Sequence, residues 1–190
     1  MFLSHQTKMT SLYAPIFKHK TLEQCVIFKK KSVVEIERKF LVSNLDECLQ
    51  HHTNSKSIVQ GYLSFDPART VRVRKTDTKA FLTIKGKSNA TGDTRFEWEK
   101  EIPENEATQL LDLCLGQAIQ KTRYVIPYQS HLFEVDVFSA KLQGLVIAEV
   151  ELSAADQQLD LPTWIGKEVT GDPRYYNSDL AKKGLKPEIV

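Results

Sequence analysis

Charged residues recur two positions apart along this sequence, with apolar residues between them, and that spacing constrains the fold more than anything else in it. The clearest run is Glu35-Ile36-Glu37-Arg38-Lys39-Phe40-Leu41-Val42. Side chains of a β-strand point alternately to the two faces of its sheet, so alternation over this length reads as a strand. One face holds Glu35, Glu37 and Lys39, and the other holds Ile36, Arg38 and Phe40. A lone strand of this kind can simply face water. Its recurrence cannot be dismissed in that way.

The same reading predicts strands over 33–42, 57–65, 70–75, 80–87, 94–102, 120–128, 131–138 and 145–152. Ser43 or Asn44 can cap a short helix reaching about residue 51. An amphipathic helix is predicted over 104–115, with Ala107, Leu110, Leu111 and Cys114 at helical spacing. Gly116 is placed as its C-cap. Asp172 can cap a last helix with Pro173 at its first position, running to about Lys183 and stopped by Gly184.

Charge sign is sorted by strand. Glu35, Glu37, Glu97, Glu99, Glu134, Asp136, Glu149 and Glu151 lie on the first, fifth, seventh and eighth strands. Arg72, Arg74, Lys85, Lys121 and Arg123 lie on the third, fourth and sixth, and Lys39 joins them from the first. Amphipathic helices must bury their stripe against the apolar strand faces. The fold expected is α+β: a closed, eight-stranded antiparallel β-barrel with its helices packed outside and its charges inside. An interior filled with charge is tolerable only around water, ions and a charged ligand. Carboxylates without His or Cys suit Mg²⁺ or Mn²⁺. Clustered Arg and Lys suit phosphate. A polyphosphate held between the two sets follows from both. A β-sandwich with a salt-bridged surface would not sort its charges this way.

Composition narrows the alternatives. A chain of 190 residues with a net charge of +2 has no bulk attraction to nucleic acid or to an acidic membrane, and it contains no apolar run of membrane-spanning length. Cys25, Cys48 and Cys114 form no CxxC, which fits a reducing cytoplasm, and the five histidines form no ligand-spaced motif. No P-loop, dinucleotide fingerprint or Ser-His-Asp constellation is visible. Residues 1–32 lack the alternation and are expected to be a flexible extension ahead of a domain over 33–190. With Met1 and Met9 the only methionines and Val33-Val34 directly before the Glu35–Lys39 run, a valine-coded start that was missed is a further expectation.

Taken together, these residues resemble the CYTH superfamily, the triphosphate tunnel metalloenzymes. Glu35-Ile36-Glu37-Arg38-Lys39 matches its ExExK signature. Thr70-Val71-Arg72-Val73-Arg74, Thr83-Ile84-Lys85-Gly86, Glu97-Trp98-Glu99, Lys121-Thr122-Arg123-Tyr124, Glu134-Val135-Asp136 and Ala148-Glu149-Val150-Glu151 follow in order. Val169-Thr170-Gly171-Asp172 and Tyr175-Tyr176-Asn177-Ser178 resemble the C-terminal region. The resemblance implies metal ligation by Glu35, Glu37, Glu149 and Glu151, with Asp136, Glu97 and Glu99 serving a second ion. It implies phosphate binding by Lys39, Arg72, Arg74, Lys85, Lys121 and Arg123. It also implies a catalytic set of Glu37, Lys39 and Tyr62, with Tyr62 orienting or activating water. Lys182 and Lys183 are candidates to close the tunnel or are solvated. The activity implied is metal-dependent hydrolysis of inorganic triphosphate by a monomer or homodimer. Class IV adenylyl cyclase, thiamine triphosphatase and a non-catalytic polyphosphate-binding module are the alternatives.

Overall fold

The structure, a computed structural model, describes residues 34–90, 94–154 and 156–187. The expectations for residues 1–32 lie outside these. In chain order the elements are β1 (Val34–Val42), α1 (Leu45–Leu49), β2 (Asn54–Ser64), β3 (Arg69–Thr76), β4 (Ala80–Ser88), β5 (Thr94–Ile102) and α2 (Glu104–Asp112). They continue with β6 (Leu115–Tyr128), β7 (His131–Phe138), β8 (Val146–Glu151), β9 (Ile165–Glu168) and α3 (Asn177–Lys183).

All strands belong to one antiparallel sheet in the order β5-β4-β3-β2-β6-β7-β8-β1-β9. Two meanders, β2 to β5 and β6 to β8, are joined where β2 pairs with β6 from Asn54 opposite Val125 to Tyr62 opposite Leu115. β1 then lies beside β8, with Glu37 opposite Glu151 and Lys39 opposite Glu149. The expected closed eight-stranded barrel is corrected on both counts. Among the described residues there are nine strands, and the sheet is curled rather than zipped shut along its length. Among the described residues, β1 and β5 meet only at Val34, Ile36 and Glu35, opposite Phe96, Thr94 and Arg95. Further along the same β1, β9 takes over, with Phe40 opposite Glu168 and Val42 opposite Ile165. β9 escaped prediction because Ile165-Gly166-Lys167-Glu168 is short, contains glycine and follows Pro162.

Directly opposed residues share a face, so register sorts the inside from the outside. Outward-facing Phe40, Ala148 and Val150 pack with Phe133, Val135, Cys48 of α1 and Trp164. On the same outer face, α2 sets Ala107, Leu110 and Leu111 against Val73, Ala80 and Leu82. These two helices sit where the sequence placed them. The third does not. Leu180 and Ala181 of α3 pack with Tyr62, Ile119, Phe138 and Ile147. Register puts all four strand residues on the charged face: Tyr62 opposes Arg72, Phe138 opposes Lys121 and Ile147 opposes Asp136, while Ile119 opposes Gln60. α3 therefore lies against the inner face, forming an apolar floor beside the charged residues. With two helices outside, Ile84, Phe96 and Trp98 of β4 and β5 stay exposed.

The chain's approach to α3 is locally encoded. Asp172 accepts from the Arg174 backbone N–H at 3.0 Å, capping a 3₁₀ turn over Pro173–Tyr175. Gly184 ends α3 in the left-handed region at φ +64°. Gly116 is not the cap of α2, which ends at Asp112 with Leu113 still right-handed. It lies instead at the start of β6 with φ +69°, and a Cβ there would stand 2.6 Å from the Ala181 carbonyl oxygen. The position needs both the positive φ and the missing side chain so that β6 can reach α3. Replacing Gly116 with Ala is expected to lower stability by about 1–3 kcal/mol, combining backbone strain with a clash. Urea denaturation measures it, and an unchanged midpoint would remove Gly116 from the α3 contact.

Candidate active site

The inner face gathers the sequence-predicted residues from separate strands, and side-chain positions are described for all of them except Glu35. Glu37 and Lys39 come from β1, Tyr62 from β2, Arg72 and Arg74 from β3, Lys85 from β4, and Glu97 and Glu99 from β5. Lys121 and Arg123 come from β6, Asp136 from β7, and Glu149 and Glu151 from β8. Lys39, Arg72, Lys85, Lys121, Arg123 and Asp136 are buried. Glu151 is exposed. Lys182 and Lys183 are exposed, and Lys183 pairs with Asp179 at 2.8 Å.

In this state the acids and bases hold each other. Lys39 Nζ lies 3.0 Å from Glu37 and also donates to Glu149. Arg123 donates to Asp136 through Nε and one terminal nitrogen, both at 2.6 Å, and reaches Glu149 at 2.8 Å. Arg123 also pairs with Glu134, and Lys121 with Asp136. On the other side, Arg74 donates to Glu99 at 2.9 Å, Arg72 lies 3.5 Å from Glu99, and Lys85 pairs with Glu97. Thr83, fully buried on β4, donates its hydroxyl to Glu99 at 2.8 Å and accepts from Arg72 at 3.2 Å.

These contacts fix the protonation states. Burial alone would raise the Glu149 and Asp136 carboxyls. For Glu149, Lys39 and Arg123 outweigh burial and hold it well below its ordinary range. For Asp136, Arg123 and Lys121 also outweigh burial and lower its carboxyl. Burial opposes charge on Lys39 too, but Glu149 and Glu37 more than offset it and hold its pKa above the ordinary value. Lys121 goes the other way: burial, aided by Arg123 and only partly countered by Asp136, lowers it to about 8. Burial pushes the Tyr62 phenol up to about 12. That phenol accepts from Gln60 Nε2 at 3.2 Å, and its ring stacks on Phe65 at 5.4 Å between centroids.

Glu37, Lys39, Tyr62, Arg72 and Lys85 line one cavity. Arg95 and Thr70 join them from β5 and β3, Tyr176 joins from the residue before α3, and Asn177 and Ser178 from its first turn. Asn177 also accepts from Lys121 at 3.3 Å. Sequence reasoning did not assign Arg95, although it stands two residues before Glu97 on the same face. Its sign was the signal, because it is a base at the head of an acidic strand. Thr83 carried no signal beyond its place two residues before Lys85. The Nε–H groups of Arg72 and Arg74 are buried with no hydrogen-bond partner among the described residues. Two unpartnered guanidinium donors in one charged interior call for an anionic oxygen ligand.

A hard divalent cation also fits the donor chemistry. Glu37 and Glu151 are direct cross-strand partners, and Glu149 is the next residue on the same face of β8. All three offer carboxylate oxygens. Among the described residues, no group of three or more His, Cys, Asp or Glu is close enough to hold a metal. Glu37 and Glu149 are instead engaged with Lys39.

The tightest part of this network is Asp136, whose two oxygens serve both Lys121 and Arg123. Asp136→Leu leaves two buried cations short of a counter-ion and is expected to cost about 3–5 kcal/mol. Chemical denaturation checks this, and a loss below about 1 kcal/mol would show that the cations find other partners.

Comparison with known proteins follows the same residues. Residues 34–182 match the CYTH domain. The chain is 44% identical over 153 residues to an inorganic triphosphatase of Acetivibrio thermocellus, covering 80% of this chain and 96% of that one. It is 37% identical over 155 residues to an inorganic triphosphatase of Nitrosomonas europaea, covering 78% and 97%. The crystal structure of an inorganic triphosphatase aligns with a TM-score of 0.55 at 34% identity, covering 77% of this chain and 93% of that one. Family members of this kind act with a metal ion. On the sequence match, the sheet and the charged interior together, this chain belongs to the CYTH-domain family.

Proposed function

We propose that this protein is an inorganic triphosphatase that cleaves tripolyphosphate to pyrophosphate and phosphate with Mg²⁺ or Mn²⁺. The observation that carries the reading is the pair of buried, unpartnered Nε–H donors on Arg72 and Arg74. They stand among cations held by carboxylates, and a phosphate oxygen would complete their hydrogen bonding. The likeness to two inorganic triphosphatases supports the choice of substrate.

In this reading Lys39, Arg72, Arg74, Lys85, Lys121 and Arg123 hold the phosphate oxygens, the arginines through their planar forks and the lysines as point charges. Glu35, Glu37, Glu149 and Glu151 hold the metal, and Asp136, Glu97 and Glu99 orient the phosphate-binding cations and are the donors left for a second ion. When bound, the metal neutralises phosphate charge and acidifies a coordinated water. The curled sheet presents its charged inner face to the substrate, and β9 extends its edge beyond β1. Phosphoryl transfer of this kind depends on positioning and charge neutralisation more than on covalent chemistry. Tyr62 acts as a neutral phenol, because a group held near pKa 12 is not a base at neutral pH. It orients the attacking water. Cys48 and Cys114, both free thiols, suit the cytoplasm as the compartment.

A phosphate-release assay on tripolyphosphate, ATP and thiamine triphosphate, with Mg²⁺, Mn²⁺ or a chelator, tests the reading. Tripolyphosphate is expected to be turned over fastest and the chelator to abolish turnover. Faster formation of cyclic AMP from ATP would overturn the substrate choice. Glu37→Gln is expected to lower turnover by at least about tenfold with the fold intact, and full activity would remove Glu37 from the site.

Tyr62→Phe separates orientation from proton abstraction. The expected result is a drop of roughly tenfold in kcat, an unchanged KM and an unchanged pH–rate profile below about pH 10. An ascending limb present in the wild type and absent from the variant would assign Tyr62 as a base.

A further inference from the structure

We infer that Arg95 is a movable phosphate ligand, which neutralises Glu37 until a divalent ion takes that carboxylate and then turns to the substrate. The inference rests on the triphosphatase reading of this cavity and adds a residue and a coupling to it.

Four observations converge on Arg95. It stands opposite Glu35 in the short seam between β1 and β5. Odd-numbered residues of β5 face inward with Glu97 and Glu99, so Arg95 points to the same interior. Its terminal nitrogen lies 3.7 Å from Glu37 Oε1, the ion pair recorded for it among the described residues. That separation exceeds the 2.7–3.2 Å of a good N–H···O bond, so the guanidinium is held by charge more than by geometry. Finally, Arg95 lines the cavity with Lys39, Arg72 and Lys85, and its side chain is 25% exposed against 7%, 11% and 8% for those three. It is the cavity cation whose movement disturbs the least packing.

Glu37 is shared by two cations, and they are unequal. Lys39 also donates to Glu149, so it keeps a carboxylate when Glu37 turns away. Arg95, among the described residues, is paired with Glu37. Once Glu37 binds a divalent ion, Arg95 faces a positive neighbour and is repelled toward the remaining negative charge in the cavity, which is the polyphosphate. A planar fork is suited to a terminal phosphoryl group. Metal and substrate are thereby linked through one side chain. The metal must displace Arg95 to reach Glu37, and the displaced Arg95 adds to substrate binding.

The test measures the two halves separately on wild type, Arg95→Ala and Arg95→Lys. Calorimetry with Mn²⁺ alone, without any triphosphate, reads the competition at Glu37. Steady-state kinetics on tripolyphosphate reads the phosphate contact. For Arg95→Ala, Mn²⁺ is expected to bind about three- to tenfold more tightly while KM rises by about three- to tenfold, the scale of one charge-assisted contact at a partly exposed site. Arg95→Lys keeps the charge and loses the fork, so it restores the wild-type Mn²⁺ affinity and recovers KM only in part. A merely structural role would not move metal affinity and KM in these opposite senses. Unchanged or weaker Mn²⁺ binding in Arg95→Ala, or an unchanged KM, would overturn the inference. Wild-type turnover of tripolyphosphate checks the underlying reading by itself. An inactive wild type fails that reading, whereas an active wild type with unresponsive Arg95 variants fails only the role of Arg95.

Discussion

Glu149 is held by Lys39 and Arg123 at once, and the interior depends on that double hold. Through it the pair Glu37–Lys39 on β1 is joined to Arg123, Asp136 and Lys121 on β6 and β7. Removing so many charges from water is affordable only if each meets an opposite charge with good geometry. The register provides this, because Lys39 lies opposite Glu149 and Arg123 opposite Asp136. A shift of one residue in either strand would turn these side chains to the other face.

An interior of this composition cannot supply a conventional core, and the apolar packing is displaced elsewhere. Part lies on the outer face, where α1, α2 and Trp164 cover the backs of the strands that carry the site. The rest lies at the inner floor, where Leu180, Ala181 and Tyr175 meet Tyr62, Ile119 and Phe138. Site and scaffold are therefore built from the same strands in alternate positions. Phe40 is fully buried behind Lys39, and Val73 is fully buried between Arg72 and Arg74. Stability comes from the even-numbered face of β1 and the odd-numbered face of β3, leaving the opposite faces free to be strained and charged.

Strand content and the sorting of charge were legible in the sequence because both follow from a period of two. β7 falls on its predicted residues, and Lys39, Arg72, Lys85, Arg123 and Glu149 do share one face. What period cannot reveal is which elements meet. The amphipathic stripe of α3 announces that it is buried but not against which side of the sheet, and it is buried against the inner side. Gly116 reads as a helix stop because glycine commonly is one, while its actual partner, Ala181, lies far along the chain. β9 gains its strand character from β1, through Val169 donating to the Lys39 carbonyl at 2.8 Å, and not from its own residues. Arg95 was placed on the right face by alternation, yet its meaning depends on Glu37, which only the seam between β1 and β5 brings near.

The paired state also limits how ligands enter. An anion alone would draw Arg72, Arg74 and Lys39 from Glu99, Glu37 and Glu149, leaving buried carboxylates uncompensated. A divalent cation alone at Glu37 would leave Arg95 without that carboxylate, while Lys39 keeps Glu149. Each partial exchange leaves one sign of charge unpaired at low dielectric, where the penalty is largest. In the proposed reading, a metal and a polyanion together restore a partner to every group, the carboxylates turning to the ion and the guanidinium and ammonium groups to phosphate oxygens. The internal ion pairs give the buried charges opposite partners within the sheet itself. They also favour a ligand of both signs over either ion alone.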